Sequence, residues 1–411
     1  MTCHRFRKAT RRLSNPQNGA KSTVVNPTQE QFPVNRGASR KQFPISISSR
    51  TGAITVVVAT YNRPDVLGFA VKSALAQGSI VDRVLVIGDC CDDRTREVCE
   101  GLQSDRVFYI NLPTRFGEQS GPNSVGMHLA RSRLVALLNH DDILLPDHFE
   151  HALDVMESTG AQLFLGRAAN AANTVEERPG LIRPSFSRLH PVQRMDWRAF
   201  RDWFHVEPAS AWVFDRALLE VVGPWRPARE LRRSPIADWF LRAWRKDVII
   251  AYGSELSVLK ISPHAVRSDT TPLYNRLSPE HEGLSQWISE VGTAVVKHRI
   301  EDEVARAYVG GKRAGRASRI SSALQEHGFI WTAAMAARSI VYFVLGTRTF
   351  AHLFRYTGLD AINAFYLIFR VGKGQVFNTA VQKRTGTSLP QPPDLPSVIE
   401  AARVQLEGLG G

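Results

Sequence analysis

From Ile54 onward, short apolar and β-branched runs alternate with stretches whose apolar positions recur at helical spacing. Ile54 to Ala59 reads as a buried strand, and Asp65 then opens a helical pattern through Val66, Leu67, Phe69, Ala70 and Leu75. Arg83 to Ile87 predicts a second strand, Asp93 to Leu102 a helix, Val107 to Ile110 a third strand and Gln119 to Ala130 a helix. Leu134 to Leu138 is a fourth strand, with a further helix starting near Pro146. Four strand-helix units within about 100 residues imply right-handed crossovers. The predicted class is α/β, a mixed, mainly parallel sheet flanked by helices, followed by a C-terminal helical region.

The two ends lack this alternation. Residues 1–50 are rich in Ser, Asn, Gln, Pro and basic side chains, with isolated Phe32 and Phe43, and read as a disordered basic arm. An arm serving solubility, or a start codon placed too early, is favoured over one that binds nucleic acid. Beyond about 275 the period is helical, and Ile362, Phe365, Tyr366 and Phe369 form a one-sided apolar stripe. Phe329 to Leu345 is the most apolar run, but it is shorter than the roughly 20 residues a span needs. Arg338 in its middle would cost about 2.5 to 3.5 kcal/mol at a bilayer centre. Arg348, Arg355, Arg370, Lys373, Lys383 and Arg384 flank these helices, a composition that suits an anionic membrane interface. The alternative is packing on the rest of the chain or on a second copy, as in a homo-oligomer. The expected divisions are an arm over 1–50, an α/β domain over 51–270 with halves at 51–150 and 151–270, and a helical region over 271–411.

Composition narrows the function classes only partly. The 411 residues carry a net charge of +13, which fits a nucleic-acid binder, a protein on an anionic membrane, or an enzyme for polyanionic substrates. No nucleic-acid-binding motif stands behind the charge, so no nucleic-acid partner is expected. Cys3, Cys90, Cys91 and Cys99 have neither zinc spacing nor CxxC pairs, which suits reduced thiols in a cytoplasmic setting. The basic N-terminus is not followed by an apolar stretch of the secretory kind. The expected location is cytoplasmic, peripheral at the inner face of the plasma membrane.

Three turns then fall on one edge, the carboxyl ends of the strands: Thr60-Tyr61-Asn62-Arg63-Pro64, Gly88-Asp89-Cys90-Cys91-Asp92-Asp93, and Asn139-His140-Asp141-Asp142. Ligands of open α/β sheets bind at such an edge. Adjacent carboxylates there suit Mg²⁺ or Mn²⁺ held with a substrate phosphate, although Asp142 and Asp147 would equally serve as helix caps.

These segments, with Val56 to Pro64, Val86 to Thr95, Gly121 to Gly126 and Leu138 to Pro146 in order, resemble the family 2 glycosyltransferases of the GT-A (Rossmann-like) fold. The resemblance covers roughly 55 to 150 and continues more weakly to about 265. It implies inverting transfer of a sugar from a nucleotide-sugar donor to a hydroxyl of a glycan or glycolipid acceptor, as in polysaccharide and cell-envelope synthesis. It also implies a divalent cation, Mn²⁺ or Mg²⁺, on the leaving diphosphate. Asp141 stands where the family's DxD motif holds its metal ligand. The first DxD position is Asn139, a neutral oxygen donor that should weaken cation binding. His264 is a candidate third ligand. Asp89 resembles the aspartate that accepts from the donor base, and Thr60, Tyr61, Asn62 and Arg63, with Asn139, His140 and Asp141, resemble the donor-binding wall. Gly88 replaces a usual Asp, and Cys90-Cys91 a usual Gly-Ser. The stretch Arg233 to Trp244 resembles the segment with the general base, placing Asp238 in that role and Ala237 where an acid is common. Asp142 and Trp239 are expected on the acceptor side, and most of Trp197, Trp203, Trp212 and Trp225 in the core. The competing reading is a scaffold that binds nucleotide sugars without catalysis, with Asn139, Gly88 and Ala237 as marks of decay.

Overall fold

The computed structural model describes residues 49–172, 185–189, 208–261 and 279–311, parts of 329–360, and 361–410 apart from 386. Nearly all of the expected arm, together with Trp197, Trp203 and His264, lies outside the described residues.

The first half follows the alternation read from the sequence. In order come β1 (Ile54–Thr60), α1 (Pro64–Leu75), β2 (Val81–Gly88), α2 (Asp93–Gly101), β3 (Val107–Asn111), α3 (Ser120–Leu129) and β4 (Leu134–Asn139). Then follow β5 (Asp142–Leu144), α4 (His148–Thr159), β6 (Leu163–Ala172), β7 (Ser185–Leu189), β8 (Trp212–Asp215), α5 (Leu218–Val222), α6 (Pro235–Arg245) and β9 (Ile250–Ile261). The C-terminal helices are α7 (Pro279–Val291), α8 (Thr293–Gly311), α9 (Ala361–Ile368), α10 (Gln375–Thr385) and α11 (Leu395–Gly408).

The strands form one mixed sheet in the order β3-β2-β1-β4-β8-β6-β9-β5, with β7 on β6. The β3-β2-β1-β4 half is wholly parallel. Its strands are continuous apolar runs because helices cover both faces: every residue of β1 is buried. Beyond β4 the sense changes, since β8 is antiparallel to β4 and to β6, while β6 and β9 run parallel. Of the four tryptophans expected mostly in the core, Trp212 and Trp225 are buried there, the ring centroids 5.9 Å apart.

The C-terminal helices belong to the same unit, which spans Phe43–Gly411. Leu284, Val296 and Ile300 of α7 and α8 bury against Ile143, Leu256 and Leu259 of β5 and β9. At the far end, the α11 cap is Asp394, whose carboxylate accepts from Ser397 N at 3.1 Å. Val398, Ala402 and Leu406 of that helix join the main core. Gln405 bonds the backbone of Asn111, accepting from its N–H at 3.3 Å and donating to its C=O at 3.1 Å, so α11 covers the free edge of β3. Among the described residues no helix is long and apolar enough to cross a membrane.

Candidate active site

Adjacent pairing of β2, β1 and β4 brings the three polar turns to one edge. Their backbones are tied directly: Asp89 N donates to Thr60 O at 2.9 Å, and Asp92 N donates to the Asn62 side chain at 2.9 Å. Asn62 turns the chain with φ at +45°, a conformation Asn tolerates. Thr60 is buried, and Tyr61 lies under the Arg115 guanidinium, 3.9 Å from the ring centroid. Arg63 is only 3% exposed, and its Nε has no partner among the described residues. A cation so placed at the strand edge is poised for an anion, because leaving it unpaired is costly.

Asp89 also holds the loop that follows β3. It is buried, and its two oxygens accept from the N–H groups of Phe116 and Gly117 at 2.7 and 2.8 Å. Burial pushes its carboxyl up to about 6, against the pull of those two donors and of Arg115. The loop that it holds continues into Glu118, which accepts from Ser120 N at 2.8 Å and from Ala228 N at 3.1 Å. Burial raises the Glu118 carboxyl as well. The missing acid at Gly88 has a steric cause, since a Cβ there would lie 2.7 Å from Asn111 Oδ1 and 2.8 Å from Tyr109 Oη. Gly117, at φ +75°, would likewise drive a Cβ to 2.4 Å from Pro390, so the C-terminal segment closes directly over the Asp89 loop.

The Asn139-His140-Asp141-Asp142 turn divides into an outer and an inner part. Asp142 caps no helix and is sealed from direct contact with an acceptor; of the roles expected of it, the one its position allows is support from behind Asn139. It opens β5, is fully buried, and accepts from Asn139 Nδ2 at 2.8 Å, Ile261 N at 3.3 Å and Ser210 Oγ. Asp147 is the α4 N-cap residue but makes no side-chain cap bond, and pairs instead with Lys297. Because Asn139 donates from its amide nitrogen, Oδ1 is the atom left for a ligand. His140 is held neutral, its pKa lowered chiefly by burial and further by the charges of Arg63 and His281. Asp141 is half-buried, and its backbone carbonyl accepts from His281 Nε2 at 2.9 Å.

The donor set bears on the expected metal. Among the described residues no three His, Cys, Asp or Glu side chains converge as a cation site. Asp141 and the Asn139 Oδ1 would supply only two protein oxygens to such a cation, a count that Mg²⁺ accepts where other oxygen ligands complete its shell.

Trp239 is corrected to a core residue. It is fully buried, donates from Nε1 to Gly223 O at 2.8 Å, and packs 5.6 Å from Trp212 and 5.3 Å from Phe214. Asp238, one residue earlier, points elsewhere. It accepts from Arg242 Nε at 2.8 Å and borders a cavity of about 170 Å³ with Glu230, Arg232 and Arg233. Sequence reasoning passed over Glu118, Ser210, Arg115 and His281. Glu118 had a local signal, an acid just before a helix start, whereas the other three reach the site only through tertiary contacts.

A parallel sheet with acidic and basic turns at its carboxyl edge has the arrangement at which open α/β sheets bind their ligands. The family resemblance is borne out over this region, for residues 55–223 match the model of glycosyl transferase family 2. Among curated proteins, the chain is 29% identical over 178 residues to the succinoglycan biosynthesis protein ExoO of Rhizobium meliloti, covering 41% of this chain and 49% of that protein. It is 28% identical over 116 residues to the putative teichuronic acid biosynthesis glycosyltransferase TuaG of Bacillus subtilis, covering 28% of this chain and 46% of that protein. The matches thus span about half the length of these relatives. Among solved structures, S. aureus TarS 1–349 in complex with UDP-GlcNAc aligns with 77% of this chain and 91% of its own, at 14% identity and a TM-score of 0.42.

Proposed function

We propose that the protein is an inverting glycosyltransferase that moves a sugar from a nucleotide-sugar donor to a hydroxyl of a growing cell-surface glycan. The observation that carries this reading is the coincidence of the family match over 55–223 with the polar edge built by β1, β2 and β4. Thr60 to Arg63 and Asn139 to Asp141 bind the donor there, and Asp89 shapes that site through the Phe116-Gly117 backbone. Arg63 and the outer face of the turn hold the diphosphate. Asp141 and Asn139 would hold a divalent cation, Mn²⁺ or Mg²⁺, which would supply positive charge to the leaving diphosphate. Asp238, oriented by Arg242, takes the proton of the acceptor hydroxyl.

The test is thermal unfolding against a panel of nucleoside diphosphates and nucleotide sugars, with and without Mn²⁺ or Mg²⁺, for wild type and Asp141→Ala. A ligand at about 100 times its dissociation constant adds roughly 2.7 kcal/mol. A shift that needs both the metal and Asp141 is the expected result. Donor binding without any transfer or hydrolysis would favour the scaffold reading, in which the neutral Asn139 marks lost catalysis.

A further inference from the structure

The turn that carries Asp141 is held from two sides. On the inner side Asn139 N donates to Ser210 Oγ at 3.0 Å, and Asp142 accepts from Asn139 Nδ2 and from Ile261 N. On the outer side stands His281, in the first turn of α7. Its Nε2 donates to the Asp141 carbonyl at 2.9 Å, and its ring lies 5.8 Å from that of Phe69 on α1. One side chain of the C-terminal region thus links the third polar turn to the helix that grows out of the first.

Packing alone does not call for a histidine there. Leu284, one turn later, is buried with Ile143 and Leu145, just past Asp142, and seats α7 beside the turn without a polar atom. His281 is buried as well, at 1% exposure, and the cost of burying an imidazole has to be offset by a hydrogen bond. The bond goes to the carbonyl of the residue expected to hold the cation. A carbonyl fixed in place fixes its peptide plane, and with it the direction of the Cα–Cβ bond that carries the carboxylate. Divalent cations respond to such placement, since Mg²⁺ needs near-octahedral oxygens at about 2.0–2.1 Å. Groups that orient a metal ligand from behind are commonly worth about ten- to a hundredfold in metal affinity.

We propose that His281 is a positioning residue of the donor site, fixing the Asp141 backbone so that its carboxylate meets the cation on a donor diphosphate. The inference rests on Asp141 as the cation ligand, as proposed above. It extends the donor site past the family match, which ends at 223, into α7.

Mn²⁺ binding to the full chain, read as loss of the free-ion signal in electron paramagnetic resonance, tests this with UDP, dTDP, GDP, ADP and CDP in turn. The comparison of variants uses the nucleotide that brings most Mn²⁺ onto wild type. His281→Ala should weaken that binding about ten- to a hundredfold. His281→Gln should restore most of it, because its amide nitrogen stands as far along the side chain as Nε2, whereas the shorter His281→Asn should behave like His281→Ala. Leu284→Ala controls for the packing of α7: it should lower the melting temperature and leave Mn²⁺ affinity unchanged. Equal Mn²⁺ affinity in wild type and His281→Ala overturns the inference, as does a loss in Leu284→Ala as large as that in His281→Ala. Should His281→Ala fail to fold, the Gln and Asn variants decide, and equal affinity of those two overturns it. Wild type that takes up Mn²⁺ with none of the five nucleotides overturns the inference together with the metal site, and nucleotide-induced melting shifts without metal then report separately whether a donor binds.

Discussion

Asp142 and Asp238 were both expected near the acceptor, and the structure gives them opposite surroundings. Asp142 is sealed among Asn139, Ser210 and the Ile261 amide, and burial raises its pKa. Asp238 has a cationic partner in Arg242 and a cavity in front of it. A carboxylate whose lone pairs are taken up by buried donors fixes geometry, whereas one that borders a cavity and, among the described residues, has Arg242 as its side-chain partner is available to a substrate proton. Sequence adjacency to a motif therefore says less about a carboxylate's role than what occupies its lone pairs.

Two substitutions pull this contrast apart. Asp142→Ala leaves three buried donors without their acceptor, at about 1 to 3 kcal/mol each before relaxation. The expected loss is about 4 kcal/mol of folding stability, read from chemical denaturation, and a loss below about 1 kcal/mol would show that the network is dispensable. Asp238→Asn should lower stability somewhat, because Arg242 loses its counter-charge, leave donor-induced melting shifts nearly unchanged, and lower the transfer rate about a hundred- to a thousandfold. Transfer at the wild-type rate by Asp238→Asn would remove it from the base role.

The parts that were legible share a physical basis. Ile54–Thr60 and Leu134–Asn139 are buried on both faces, so their strand character is written in continuous apolar runs. The turns after them stood out for the same reason, as polar breaks at strand ends. What was illegible depends on distant partners. Nothing near Trp239 announces that Trp212 and Phe214 enclose it, and its apolar face was as compatible with a sugar platform. His281 reaches the Asp141 carbonyl across 140 positions of sequence, while the expected His264 lies outside the described residues. The docking of α11 on β3 likewise depends on the distant pairing of Gln405 with Asn111.

The contrast also makes the Asn139 departure intelligible. Restoring the usual acid with Asn139→Asp would set a second carboxylate where an amide now donates to Asp142 at 2.8 Å. Like charges so close raise one of the two pKa values by one or more units, so the variant should be about 2 kcal/mol less stable at pH 7. Its metal affinity should rise little, because the added charge is drawn into the Asp142 network. A variant as stable as wild type with clearly tighter Mn²⁺ binding would show that Asn139 is not committed to Asp142.

The smallest effect concerns Asp89, whose carboxyl is raised from 3.8 to about 6 by burial. With the folded value above the unfolded one, the folded chain binds the extra proton in the window between them, so this group adds stability as pH falls through 6 toward 4. Between pH 7 and 5 the gain is about 1 kcal/mol. Other groups oppose it: His148, buried and lowered to about 3, takes up its proton on unfolding and loses stability over the same acid range. The measurement is therefore a difference, the denaturation free energy of wild type minus that of Asp89→Asn at each pH. Wild type should gain on the variant toward pH 5, because only wild type retains the titrating group. A flat difference would mean that the Phe116 and Gly117 amides hold the carboxylate ionised as firmly in the fold as water does in the open chain, and the loop they tie would then keep its shape across the acid range.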